Sequence, residues 1–152
     1  MKLGNRIVLG VGALAVLLQV VPYGRSHENP PVTKEPDWDR PETRALAVRA
    51  CFDCHSNQTV WPWYAHVAPF SWLVQHDVDE ARHELNFTEW DRPQHEAKEA
   101  AEMVREGYMP LSLYLWMHSD AELSETERDA LAHGFAAMFG IEEEHAEAEH
   151  ED

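Results

Sequence analysis

Cysteine is scarce in this chain. Cys51 and Cys54 are the only two in 152 residues, which excludes a disulfide-built scaffold and any zinc site of four thiolates. Cations are scarce as well: 12 Lys and Arg stand against 28 Asp and Glu, a formal net charge of -16. All the acids lie beyond residue 25, whereas Lys2 and Arg6 precede the apolar N-terminal run. So acidic a surface argues against nucleic-acid binding, which relies on cationic contacts to phosphate. It suits a soluble protein steered towards a basic patch on a partner. Sustained strand alternation and internal repeats are missing too, which points to an all-α chain. A mean hydropathy of -0.50 excludes an integral membrane bundle, while 44% hydrophobic residues suffice for the core of one domain.

What is present is concentrated in Cys51-Phe52-Asp53-Cys54-His55. Two cysteines three positions apart, followed at once by histidine, form the c-type haem attachment pattern. On a turn at a helix end, each thiol can form a thioether to one haem vinyl group. The next imidazole then serves as the proximal iron ligand. Duller readings fare worse. A redox C-x-x-C pair needs a thioredoxin-like alternation of strands and helices that the chain lacks. A structural zinc wants more ligands, and a disulfide between residues three apart is awkward. The expectation is one covalent haem c, with Cys51 and Cys54 as attachment points and His55 on the metal.

Residues 1–24 form an export signal or a membrane anchor. Ile7 to Val21 is interrupted only by Gln19, and no small-x-small cleavage site follows. That favours an uncleaved anchor with its positive end inside and the rest of the chain in the periplasm. The run is short for a span. Residues 25–40, with Pro30, Pro31 and Pro36, read as an extended tether. The haem domain would occupy 41–140, and 141–152 would be a solvated acidic tail.

Within the domain, Pro41 and Glu42 open a helix that runs to Phe52 and delivers the cysteines. Trp61 to Trp72 is rich in aromatics and broken by prolines, so Trp61, Trp63, Tyr64 and Trp72 are candidate haem-wall residues. A second helix spans about 70–85, with Phe70, Val74, Val78, Ala81 and Leu85 on one face. Asp91 and Gln94 resemble a capping box for a helix over 92–106, stopped at Gly107. Asn86-Phe87-Thr88 matches a glycosylation sequon of little weight here. Ser124 to Glu127 is a strong capping box for a last helix ending at Gly140, with Leu131, Phe135 and Met138 buried.

The iron can accept a sixth ligand. Met103 and Met138 read as packing residues within helices. Met109 leads because it sits in a loop between Gly107 and Pro110, free to reach the face opposite His55. Met117 and His118 are its rivals, while His66, His76, His83, His95 and His133 read as surface or packing residues.

The stretch from about Pro36 to Gly140 resembles the small bacterial haem-binding domain family, and more distantly class I cytochromes c. The resemblance rests on Cys51 to Asn57, on Trp61-Pro62-Trp63-Tyr64 and Pro69-Phe70-Ser71-Trp72, and on Asn86-Phe87-Thr88-Glu89-Trp90. It extends to Met109-Pro110 and to His118 through Glu127. It implies a cytochrome-like helical domain in which Cys51, Cys54 and His55 hold the haem. The aromatic insert after the haem motif departs from the smallest class I cytochromes. The expected function is electron transfer by a membrane-tethered monohaem protein rather than catalysis. The alternative is a redox or gas sensor with a displaceable distal ligand. A peroxidase-like enzyme, drawing on His66 with Arg82 or Arg105, ranks third.

Overall fold

The core is assembled on the last helix, and the sequence dictates both its ends. In the computed structural model, which describes residues 2–140, the Ser124 hydroxyl accepts from the Glu127 amide. The Glu127 carboxylate accepts from the Ser124 amide at 2.9 Å, completing the capping box. The helix runs Glu125–Phe139 and stops at Gly140, whose φ of +67° is left-handed. We number the helices in chain order, so this one is α7. Leu131 and Phe135 are buried as expected, each worth roughly 1.5–3 kcal/mol, whereas Met138 is only partly covered. The acidic tail expected over 141–152 lies outside the described residues.

α7 packs against α2 (Pro41–Ala50) and α5 (Ala100–Arg105). Its contact with α2 is close enough that Gly134 has no room for a side chain. A Cβ there would stand 2.5 Å from Thr43 Cγ2. Pro41 and Glu42 in the first turn and Arg49 in the last suit α2 to its ends. The helix does not continue to Phe52 as expected. It breaks at Cys51 (φ -123°), and a short turn of helix, α3 (Phe52–His55), restarts the chain at a new angle.

α4 (Phe70–Glu84) falls within a residue of its expected bounds, but its inward face differs. Ser71, Gln75 and Val78 are buried, while Phe70 is 58% exposed. One reason lies upstream. Gly24 (φ +74°) is seated on the Ser71 carbonyl, where a Cβ would come within 2.2 Å. The helix expected over 92–106 is shortened to α5. Gln94 does not cap with Asp91; its Oε1 accepts from the Asn86 amide and its Nε2 donates to the Glu89 carbonyl. The His95 and Glu96 amides both bond the Glu84 carbonyl, which takes them out of helical register.

α1 (Leu3–Leu18) is exposed almost throughout. At sixteen residues it is about 24 Å long, short of a hydrocarbon core of about 30 Å. Among the described residues no helix is long and apolar enough to cross a membrane, so the expected spanning anchor lacks support in the fold. After α1, the Gln19 side chain both donates to the Ala68 carbonyl (2.9 Å) and accepts from the Ala68 amide (3.1 Å). Residues 25–40 form no helix, and they lie along the domain instead of holding it at a distance. The Thr33 and Lys34 amides bond the Thr88 carbonyl, the Trp90 amide bonds the Lys34 carbonyl, and Trp38 packs on Phe87 at 5.5 Å. Lys34 and Glu89 form an isolated β-bridge. No strand forms among the described residues.

Phe87 is the hub of the core. Fully buried, it stacks on Phe52 (5.8 Å), Phe135 (5.5 Å) and Trp90 (6.1 Å). It joins α3, α7 and the 86–90 segment in one cluster directly beneath His55.

Candidate functional site

The break at Cys51 sets the geometry of the site. The Cys54 and His55 amides both bond the Cys51 carbonyl, at 3.1 and 2.8 Å, so the two cysteines and the histidine share one tight turn. The His55 carbonyl accepts from the Phe87 amide at 2.9 Å. Below it, Asn57, Asn86 and Thr88 form a buried polar clamp. Asn86 Nδ2 donates to Asn57 Oδ1, Thr88 Oγ1 donates to Asn86 Oδ1, and the Asn57 amide donates to Thr88 Oγ1, all within 2.7–2.8 Å. Asn86 is 1% exposed, so the sequon is inaccessible and its polar groups serve this clamp instead.

His55 Nδ1 faces two carbonyl oxygens on the last turn of α4, those of Ala81 (3.1 Å) and Leu85 (3.0 Å). Both are acceptors, so Nδ1 carries the proton and the lone pair is left on Nε2. Burial holds the imidazole below its usual pKa, against the opposing pull of the two carbonyls, which favours the neutral ring. A neutral imidazole fixed through Nδ1 is the form a metal-ligating histidine takes.

The two thiols are free and partly buried. Burial, reinforced for Cys51 by Cys54 and for Cys54 by Asp53 and Asp77, pushes each up to about 12. Redox-active cysteines show the opposite shift. Among the described residues no cluster of three or more His, Cys, Asp or Glu could hold a metal ion, so the zinc alternative finds no donor set.

Two adjoining cavities open over this turn. The smaller, about 280 Å³, is lined by Cys51, His55, Phe87, Met103, Met109 and Pro110 among others. The larger, about 480 Å³, is walled by Trp63, Tyr64, Phe70, Val74, Trp116 and His118 among others. Asp53, Cys54, Asp77, Leu111 and Tyr114 border both. Together they make a long, mostly apolar slot beside α4, of the size range of cofactor sites. The residues fit a haem: two protonated thiols and a fixed imidazole face the slot, and aromatic rings line it.

The four expected wall residues take different positions. Trp63 and Tyr64 line the larger cavity, whereas Trp61 and Trp72 line neither. On α4, Phe70, Leu73, Val74 and Asp77 follow helical spacing along the slot, which turns Trp72 to the other side. Trp61 instead packs on His27 at 4.8 Å, with the Arg82 guanidinium 5.9 Å above it. Of the sixth-ligand candidates, Met109 and Met103 share the His55 cavity. Met117 and His118 border the other one.

Two residues of the peroxidase reading lie away from the cavities, since neither Arg82 nor His66 lines them. Arg82 is committed to the Ser56 carbonyl (2.8 Å), Asn29 Oδ1 (2.8 Å) and Thr59 Oγ1 (2.9 Å). His66 is exposed and packs edge-on against His27.

The residues left unread in the sequence are Asp53 and Tyr114. Asp53 Oδ1 accepts from the Val60 amide (3.0 Å) and Oδ2 from the Tyr114 hydroxyl (2.7 Å). Tyr114 stacks on His118 at 4.1 Å, 11° from parallel. Burial and then Asp53 raise the phenol far above its usual range, so it stays protonated as a donor. Nothing in local sequence signals a pairing across 61 positions.

A model of one protein family, described as a haem-binding domain, matches residues 13–137 of this chain. No curated protein and no solved structure matches it.

Proposed function

Because the chain belongs to the haem-binding domain family, we propose that it holds a single haem c covalently and works as an electron carrier on the periplasmic side of the inner membrane. One observation carries this reading. On a single turn, two protonated thiols and an imidazole with its Nδ1 tied to Ala81 and Leu85 face the same slot. Each thiol would add across a vinyl group, its hydrogen passing to the neighbouring carbon. The haem supplies an iron that alternates between ferric and ferrous states.

The chain's own residues do the rest. The α4 carbonyls hold His55 in one tautomer and one orientation, and the Phe87 amide and the Asn57–Asn86–Thr88 clamp fix the turn that carries it. Met109, which lines the same cavity as His55, would offer the metal a neutral sulfur, which favours the ferrous state. Trp63, Tyr64, Phe70 and Tyr114 present aromatic rings along the slot. Held by His55 and Met109, a haem iron would exchange electrons with little rearrangement and leave no open position for a substrate. The acidic surface steers docking to a basic redox partner. Export is supported by Lys2 and Arg6 ahead of the apolar run from Ile7 to Val21.

Visible spectroscopy of the oxidised and reduced protein, beside a Met109→Ala variant, tests the reading. The wild type should show a sulfur-to-iron charge-transfer band that the variant lacks. A band that persists in the variant removes Met109 from the iron. Ready binding of carbon monoxide by the reduced wild type would favour the sensor alternative over electron transfer.

A further inference from the structure

The Tyr108 and Met109 amides are tied to the Met103 carbonyl, at 3.0 and 3.1 Å, but the segment that follows is held loosely. α6 (Ser112–Leu115), which follows Met109-Pro110-Leu111, buries no residue, and among the described residues it packs on no helix other than the short turn at Ser119–Ala121. Its amide bonds run within the segment: Leu115 to the Leu111 carbonyl, Trp116 to that of Ser112, His118 to that of Leu115. Against this weak packing stands one well-formed bond to the far side of the slot. The Tyr114 hydroxyl donates to Asp53 Oδ2 at 2.7 Å, and Asp53 lies between the two cysteines. Asp53 is itself braced by the Val60 amide on its other oxygen. The Tyr114 ring is fixed too, stacked on His118, whose Nδ1 bonds the Tyr114 carbonyl at 3.0 Å. Tyr114 also borders both cavities, so the bond spans the middle of the slot.

We propose that Tyr114 is a positioning residue: by donating to Asp53 it clamps the 111–118 segment to the attachment turn and so steadies, from its C-terminal side, the Met109 loop whose N-terminal side is tied to Met103. The clamp rests on the haem reading given above. It links the turn that carries the cysteines to the segment that carries Met109 in the cavity shared with His55. A hydrogen bond to a charged acceptor in a half-buried site changes a local open–closed equilibrium by about ten- to hundredfold. Loss of the phenolic hydroxyl should therefore free Met109 to leave the iron for a much larger part of the time, while the ring still fills its place.

The test uses the full haem-loaded chain and compares wild type, Tyr114→Phe, Asp53→Asn and Met109→Ala. Carbon monoxide affinity of the reduced protein and the sulfur-to-iron charge-transfer band of the oxidised protein are measured on each. Haem content and helical circular dichroism serve as controls. Tyr114→Phe should retain its haem and helicity, weaken the band, and bind carbon monoxide about tenfold or more tightly than wild type. Asp53→Asn keeps an acceptor oxygen and should fall between wild type and Tyr114→Phe. A Tyr114→Phe protein with wild-type band and wild-type affinity overturns the clamp. If the wild type carries no haem, or Met109→Ala keeps the band, the reading beneath falls and the clamp with it. If only Tyr114→Phe behaves as wild type, the clamp alone falls.

Discussion

His55 directs Nδ1 at the Leu85 carbonyl from 3.0 Å, and so the last turn of α4 decides which nitrogen of that ring is free. The arrangement makes the site depend on backbone as much as on side chains. Phe87, two residues after Leu85, returns its amide to the His55 carbonyl at 2.9 Å. The 85–87 strip therefore grips the histidine from both ends.

That grip is braced by the buried clamp of Asn57, Asn86 and Thr88. Replacing Asn86 by Ala would leave Asn57 Oδ1 without its donor, and the Thr88 hydroxyl and amide without their acceptor, in a site 0–3% exposed. We expect Asn86→Ala to lose about 2–4 kcal/mol of stability, read from the denaturant midpoint. Asn86→Asp, which restores one acceptor, should recover part of it. A midpoint within 0.5 kcal/mol of wild type, of the order of an ordinary surface change, would remove the clamp from the account.

The close approach of α7 to α2 gives a second expectation. Gly134→Ala would drive its methyl to 2.5 Å from Thr43 Cγ2 and should cost about 1–3 kcal/mol. Pairing it with Thr43→Ala should relieve much of that loss. Thermal unfolding of the two single variants and the double variant makes the comparison, and strictly additive losses would mean that the contact is not the cause.

Acid stability should carry the mark of Glu35. Two hydrogen bonds from Arg44, each 2.7 Å, and one from Trp38 hold its carboxyl below the ordinary value of 4.5. A depressed carboxylate contributes stability above its unfolded pKa and loses it as the pH falls through the lower folded value. Glu35→Gln should therefore be less stable than wild type at neutral pH, by about 1 kcal/mol for a half-exposed pair. The difference should shrink as the pH drops below 4.5. Urea midpoints between pH 7 and pH 3 give the measurement; a gap that stays constant would contradict it.

The charge of -16 makes a kinetic prediction. With a basic redox partner, the second-order rate of electron exchange should fall steadily as salt rises, since screening shortens the reach of the acidic field. Stopped-flow oxidation of the reduced protein between 10 and 300 mM salt, which is roughly a fivefold change in Debye length, would show it. A rate that is flat in salt would remove electrostatic steering.

Local signals in the sequence carried a long way, and distant ones did not. The α7 cap was legible because Ser124 and Glu127 satisfy each other's amides without outside help. The helix expected from Asp91 and Gln94 failed because Gln94 finds better partners in Asn86 and Glu89. The docking of residues 25–40 was not legible, since it is made by main-chain bonds to Thr88 that no side chain announces. The same holds for the site. The turn that brings Cys51, Cys54 and His55 together was legible from their spacing. Asp53 and Tyr114 were not, because their pairing exists only once the chain has folded. Nor was it legible that Trp63 and Tyr64 line a cavity while Trp61 and Trp72 line neither, because aromatic content says nothing of which way a ring turns.

The central claim is that the turn at 51–55 carries a covalent haem, and mass spectrometry of the exported protein after denaturation tests it most directly. The account predicts a mass above that of the polypeptide by one haem, lost entirely when Cys51 and Cys54 are both replaced by Ala. A bare polypeptide with two free thiols would contradict it.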